Sequence, residues 1–254
     1  FREHADKLNV EFAEDTVLKI EPADLTENEL VQAAEAGAGL WQVAGENSTY
    51  LAKTVILATG ARHRKLGVPG EEELSGMGVS YCATCDGAFF KKKTTAVIGG
   101  GDVAIEDAIF LARLCEKVYL IHRRDELRGA KSLQNKLMAM ENVEVIWDTV
   151  VDSINGTHKV ESLSLSNKKN GEKKEISVDG VFIAVGISPN TGAFEGLVEL
   201  DAGGYVKAGE DGQTSAAGIF AAGDLRTKNL RQIVTAVADG ANCVSSVERY
   251  LNEQ

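Results

Sequence analysis

The sequence predicts an α/β fold of two related strand-and-helix modules, and three observations carry the prediction. Residues 95–98 form a short β-branched and apolar run that leads into Gly99-Gly100-Gly101-Asp102-Val103-Ala104, after which apolar residues recur at helical spacing from about Ala104 to Cys115. Val55-Ile56-Leu57-Ala58-Thr59-Gly60 and Val181-Phe182-Ile183-Ala184-Val185-Gly186 are near-repeats, each an apolar strand closing on glycine. With 26 Gly against 3 Pro, the composition suits a turn-rich sheet protein.

In chain order, Phe1, Ala5 and Leu8 stand at i, i+4 and i+7, the spacing of a helix already under way. Short strands are expected at residues 10–12, 16–20, 40–43, 49–51 and 54–57, with the acidic stretch 21–35 as a solvated excursion between them. Gly67, Pro69 and Gly70 read as a linker. Beyond the glycine loop come a strand at 118–121, a helix with Leu133, Leu137 and Met140 on one face, a strand at 143–147 and a hairpin turning at Asn170-Gly171. Cys115 continues the apolar face of Ala104, Ala108, Leu111 and Ala112, which marks it as packing. Near Pro189 the chain is expected to return to its first module, giving residues 1–69, 70–189 and 190–254 as three segments of a nucleotide module inserted into a split one.

The glycine string fits GxGxxA. Gly99 permits the tight turn, Gly101 lets the backbone approach a pyrophosphate and Ala104 allows close helix packing, with Gly100 and Asp102 counted beside them as cofactor-binding. Asp102 opens the helix, whose N-terminus offers free N–H donors and positive potential. Where an NAD-binding module places an acid for the ribose 2′-hydroxyl, this chain has His122-Arg123-Arg124-Asp125-Glu126-Leu127-Arg128. Arg123, Arg124 and Arg128 could embrace a 2′-phosphate, which favours NADPH over NADH. An isolated Arg-Arg pair would be a solvated turn; its place after the second strand argues for the phosphate.

Cys82-Ala83-Thr84-Cys85-Asp86-Gly87 precedes this loop by about a dozen residues. Two thiols so spaced can close a reversible disulfide, and Asp86 can hand over the proton that thiolate chemistry needs. Zinc binding would require two further ligands, and Cys115 and Cys243 are single and distant. An inert structural bridge would restrain little chain entropy across so short a loop. Redox work is the favoured reading of the three.

A net charge of −11, with no basic stripe beyond the arginine cluster, argues against a nucleic-acid role. No run of 18 or more apolar residues suggests a membrane span. Four cysteines without a disulfide framework fit a reducing, cytoplasmic compartment.

Taken together, the CATCDG string, the Gly99–Ala104 loop, His122-Arg123-Arg124-Asp125 with Arg128, Gly218-Ile219-Phe220-Ala221-Ala222-Gly223-Asp224 and Arg231-Gln232 resemble the low-molecular-weight thioredoxin reductases of bacterial type, in that family's order. The resemblance implies two Rossmann-like modules, FAD and NADPH as cofactors, thioredoxin as partner and a homodimer. It further implies that Gly223 and Asp224 meet the flavin cofactor, that Arg231 and Gln232 approach its ring, that Cys85 faces the flavin, that Cys82 attacks thioredoxin and that Asp86 protonates the departing thiolate. Asp224 could also be a turn or N-cap residue.

One departure is evident. The family carries an N-terminal glycine loop for the ADP half of FAD, and none lies between Phe1 and Cys82. Gly99 precedes Gly186 by 87 residues, and the same distance before Gly60 falls upstream of Phe1, so the sequence is expected to be truncated at its start. Rotation about crossings near residues 68–70 and 188–191 would let one flavin face meet NADPH and the dithiol in turn. Two other functions stay open at this point: a related flavoprotein that reduces a peroxiredoxin, and a non-catalytic NADPH-binding module.

Overall fold

A computed structural model describes residues 2–23 and 40–253. These residues divide into two compact units, one of Phe1–Arg62 with Ser188–Gln254 and one of His63–Ile187. Phe1 and most of the expected acidic excursion lie outside the described residues.

The first unit begins with a helix at Arg2–Lys7. The strand expected at residues 10–12 does not form. Asn9 turns the chain with φ 56°, Val10 and Phe12 stay exposed, and the Arg2 guanidinium covers the Phe12 ring at 3.5 Å. A strand needs a hydrogen-bonded neighbour, and this run finds none among the described residues. Next, β1 (Val17–Pro22), β2 (Trp41–Gly45) and β3 (Thr49–Ala52) form an antiparallel sheet in that order. Strand β4 (Val55–Leu57) then leads to Gly60, and β5 (Ala61–His63) carries the chain onward.

The second unit is built on one parallel sheet. Its strands are β6 (Val79–Ser80), β7 (Thr94–Gly99), β8 (Lys117–Ile121), β9 (Val143–Ile146) and, after an antiparallel trio of β10 (Thr149–Asn155), β11 (Ser162–Asn167) and β12 (Lys173–Ser177), β13 (Gly180–Ala184). The spatial order is β6-β13-β7-β8-β9. Both faces are covered, so its strands read as nearly continuous apolar runs. Val97, Val118, Leu120 and Phe182 face one core with the helices Asp102–Ala112 and Lys131–Met138. Their neighbours Ala96, Ile98, Ile121, Val181 and Ile183 face the other, packed on Ile154, Leu163, Leu165 and Ile176 of the antiparallel trio. The alternation is the period of two that pleating imposes.

Cys115 and Met140 pack in the first of these cores as anticipated, but each sits just beyond the end of its helix. The expected linker at Gly67, Pro69 and Gly70 belongs to the second unit. There the Pro69 carbonyl accepts the Ile154 N–H at 2.9 Å, so the chain passes between units at Arg62/His63 rather than near residues 68–70. The return falls at Ile187/Ser188.

After β14 (Ile187–Pro189), the first unit resumes with β15 (Ile219–Ala221), which pairs in parallel with β4. A long helix, Ile233–Asn252, follows, and its Cys243 packs against Phe220 and Ala222. The two near-repeats therefore fold alike: β4 and β13 are parallel strands, and the glycines that follow them, Gly60 at φ 67° and Gly186 at φ 123°, occupy the left-handed region that glycine tolerates.

Candidate functional site

The redox pair lies at the end of edge strand β6. Cys82 caps the four-residue helix Ala83–Asp86, and the backbone brings the Cα atoms of Cys82 and Cys85 within 5.3 Å, where a disulfide joins them. The Cys85 N–H donates to Cys82 Sγ at 3.2 Å, and Thr84 Oγ1 lies 3.4 Å from the same sulfur. Both contacts would stabilise negative charge on Cys82 once the bond opens. Asp86 is tied in: Ser80 Oγ donates to Asp86 Oδ2 at 2.7 Å and accepts the Cys82 N–H at 3.1 Å.

Tyr81, the residue before the pair, bonds a carboxylate whose part sequence inspection does not reveal. Glu71 is 1% exposed and accepts from the Leu66 N–H, the Gly67 N–H and the Tyr81 hydroxyl, the last at 2.8 Å. Burial, together with Glu71, pushes the Tyr81 phenol up to about 12, so it stays a donor. Its ring stacks on His63 at 5.4 Å. Phe89, four residues past Cys85, is 73% exposed.

The glycine loop stands at the carboxyl edge of the parallel sheet, between β13 and β8 as neighbours of β7. In doubly wound sheets this crevice is where ligands bind. Gly99 has no room for a side chain: a Cβ would lie 2.4 Å from the Ala184 carbonyl oxygen and 2.6 Å from Ala104 Cβ. At Gly101 a Cβ would meet open space, and no side chain caps the helix that starts there. Its first N–H groups thus remain available to an anion. Asp102 turns aside to accept the Ala130 N–H at 2.7 Å, and the Arg128 N–H donates to the Gly100 carbonyl at 2.7 Å. Two ties therefore bind the arginine segment to the loop.

His122 takes a place that its sequence position does not disclose. It is 4% exposed, and its ring lies where a Gly100 side chain would be, within 2.2 Å of the Cβ position. Burial holds its pKa below the usual value, so it is neutral at pH 7 and shapes the loop from beneath. Arg123, Arg124 and Arg128 are exposed, and among the described residues none of their guanidinium groups is in an ion pair.

In the first unit, Gly223 (φ 83°) and Asp224 make the turn after β15. Asp239, on the long helix, accepts the Gly223 N–H at 2.8 Å and salt-bridges Arg226 at 2.6 Å and Lys228 at 2.7 Å, all three side chains being nearly buried. Burial pushes the Asp239 carboxyl up, but these donors outweigh it and hold it at about 2. Arg231 donates to the Asp224 carbonyl at 3.3 Å and stacks over Tyr205 at 4.1 Å. Gln232 is the N-cap of the long helix, in a capping box with Thr235. With the turn held on both sides, Asp224 Oδ1 is left buried and without a hydrogen-bond partner. A buried carboxylate oxygen of that kind fits a ligand hydroxyl.

Residues 3–240 match the family described as pyridine nucleotide-disulphide oxidoreductase. The chain belongs to this family. Within it, the chain is 49% identical over 212 residues to the thioredoxin reductase of Listeria innocua, covering 83% of this chain and 66% of that protein. It is 42% identical over 252 residues to that of Bacillus subtilis, covering 99% and 75%. The crystal structure of thioredoxin reductase from Streptococcus pyogenes MGAS5005 superposes with a TM-score of 0.88 at 44% identity, over 99% of this chain and 78% of that one. The chain thus spans about two thirds of the length of the Listeria relative.

Proposed function

We propose that this chain passes electrons from NADPH, through FAD, to the Cys82–Cys85 disulfide and on to the disulfide of thioredoxin. One observation carries the reading: a closed CxxC disulfide, with a tethered acid, on the same unit as a dinucleotide-type glycine loop. The relatives named thioredoxin reductase support the choice of partner. A cytoplasmic homodimer goes with the same reading.

In this reading each group has a role. The helix N–H groups at Gly101 and Asp102 would take the NADPH pyrophosphate, and Arg123, Arg124 and Arg128 its 2′-phosphate. Asp224 Oδ1 and the Gly223 turn would hold FAD, with Arg231 and Gln232 near its ring, while Asp239 and the Arg231 bond to the Asp224 carbonyl keep that turn in place. Bound FAD would supply the relay from a two-electron hydride donor to a disulfide. Two electrons and two protons open the Cys82–Cys85 bond to a dithiol. Cys82, as thiolate, then attacks one sulfur of thioredoxin; the resulting mixed disulfide is resolved by Cys85, which restores the internal bond and releases a dithiol partner. Asp86, kept in register by Ser80, is placed to give up a proton to the leaving thiolate.

The test is a visible spectrum of the chain supplied with FAD, before and after anaerobic NADPH, followed by NADPH-dependent reduction of thioredoxin. A flavin band that bleaches, together with turnover, is expected; a colourless protein that binds NADPH would reduce the chain to a nucleotide-binding module. Cys85→Ser should abolish thioredoxin reduction and leave bleaching intact, and loss of both would contradict the assignment of Cys85.

A further inference from the structure

The arginine segment contains its own opponent. Asp125 falls between Arg124 and Arg128, and a carboxylate there works against binding of a dianionic phosphate. The structure shows where that charge goes. Lys169, 44 residues further along in the turn between β11 and β12, donates to Asp125 Oδ2 at 2.9 Å and lies 3.1 Å from Asp148 Oδ2. The three arginines take no share in holding Asp125 and stay out of ion pairs among the described residues.

The backbone makes this meeting reproducible. Asp148 sits at φ 52°, a conformation that a non-glycine residue adopts at a cost. From there its N–H donates to the Arg124 carbonyl at 3.1 Å and its carbonyl accepts the Lys168 N–H at 2.6 Å, while the Thr149 N–H donates to the His122 carbonyl at 3.0 Å. Asn167 Oδ1 accepts the Lys169 N–H at 2.9 Å, which sets the direction of the hairpin tip. The hairpin is therefore fastened to the arginine segment by main chain on one side and by Lys169 on the other.

We propose that Lys169 is a positioning residue for cofactor choice: by engaging Asp125 it offsets the opposing charge and leaves Arg123, Arg124 and Arg128 available to a 2′-phosphate. The proposal rests on the NADPH reading above. Lys169 acts on the phosphate through Asp125, not by being the phosphate's own ligand.

The probes are 2′,5′-ADP, which carries the 2′-phosphate, and 5′-ADP, which lacks it, titrated calorimetrically into the full 254-residue chain at low ionic strength. Lys169→Ala should weaken 2′,5′-ADP by about threefold to fivefold, as the loss of one exposed charge pair allows, and leave 5′-ADP unchanged. Asp125→Asn placed on Lys169→Ala should restore 2′,5′-ADP binding, because the charge that Lys169 held in check is gone. Added salt should shrink both effects.

Three results with the Lys169 variants would overturn the proposal. Equal weakening of both probes would make Lys169 a general support of the fold, and no change in either would make the pair a bystander. Failure of Asp125→Asn to rescue would make the lysine a direct phosphate ligand. Arg123→Ala with Arg124→Ala is the control: if that variant keeps the preference for 2′,5′-ADP, the NADPH reading itself has failed and this proposal falls with it. If the control loses the preference while Lys169→Ala keeps it undiminished, the Lys169 proposal alone is wrong.

Discussion

Asp107 shows how much a single side chain can depend on what surrounds it. It lies on the helix that begins at the glycine loop, half-buried, and burial, with the neighbouring Glu106 charge, pushes its carboxyl up to about 6. An acid whose folded pKa lies above its unfolded value of 3.8 costs nothing while both states are protonated; the cost grows as pH rises from about 4 and is complete above about 6. Asp107→Asn should therefore add little stability at pH 4 and on the order of 2 to 3 kcal/mol at pH 8, measured by denaturant unfolding at each pH. A pH-independent difference would show that the ionised form meets no penalty. Asp239 is the opposite case, a buried carboxylate held down by two cations and an N–H, and it belongs with the larger structure that it supports.

At the scale of elements, the glycine loop is shaped from below by His122 and tied laterally through Asp102 and Arg128. Gly100→Ala would drive a methyl group into the imidazole, an overpacking that typically costs 1–3 kcal/mol. We expect NADPH affinity to fall about tenfold, because 1.4 kcal/mol of loop distortion suffices for that factor. Truncating the obstructing ring with His122→Ala in the same chain should recover part of the loss. Were Gly100→Ala to bind NADPH normally, the loop would be softer than its contacts imply. The string Gly99–Ala104 was legible in the sequence because its geometry is local: turn, backbone approach and helix start all lie within six residues. His122 was legible as a position but not as a role, since only the packing of β8 behind the loop turns the ring under Gly100. The strand expected at residues 10–12 failed for a similar reason: a short apolar run becomes a strand only when another edge receives it.

Across the whole molecule, each hydrophobic cluster lies in one unit, two in His63–Ile187 and two in the remainder. The two tryptophans report them separately, Trp41 on β2 and Trp147 against the helix-side core. Breaking a buried ion pair by removing one charge typically costs about 3–5 kcal/mol. Asp239→Asn leaves Lys228 without its carboxylate and Arg226 with the exposed Glu210 alone, and should shift the Trp41 transition to lower denaturant while the Trp147 transition stays in place. Movement of both by the same amount would mean that the chain unfolds as one cooperative body.

The sequence by itself determined the α/β class, the strand-closing glycines Gly60 and Gly186, the Cys82–Cys85 spacing and the arginine segment that follows β8. Each is fixed within a turn or two of backbone, where residue type and spacing dictate geometry directly. Tertiary structure alone decided that Ser80 holds Asp86, that Glu71 supports Tyr81 beside the redox pair, that Asp239 anchors Gly223 and that Lys169 engages Asp125. Such partnerships depend on strand register and on which element lies over which, and hydrogen bonds and charges act over a few ångströms regardless of how much chain separates the two groups.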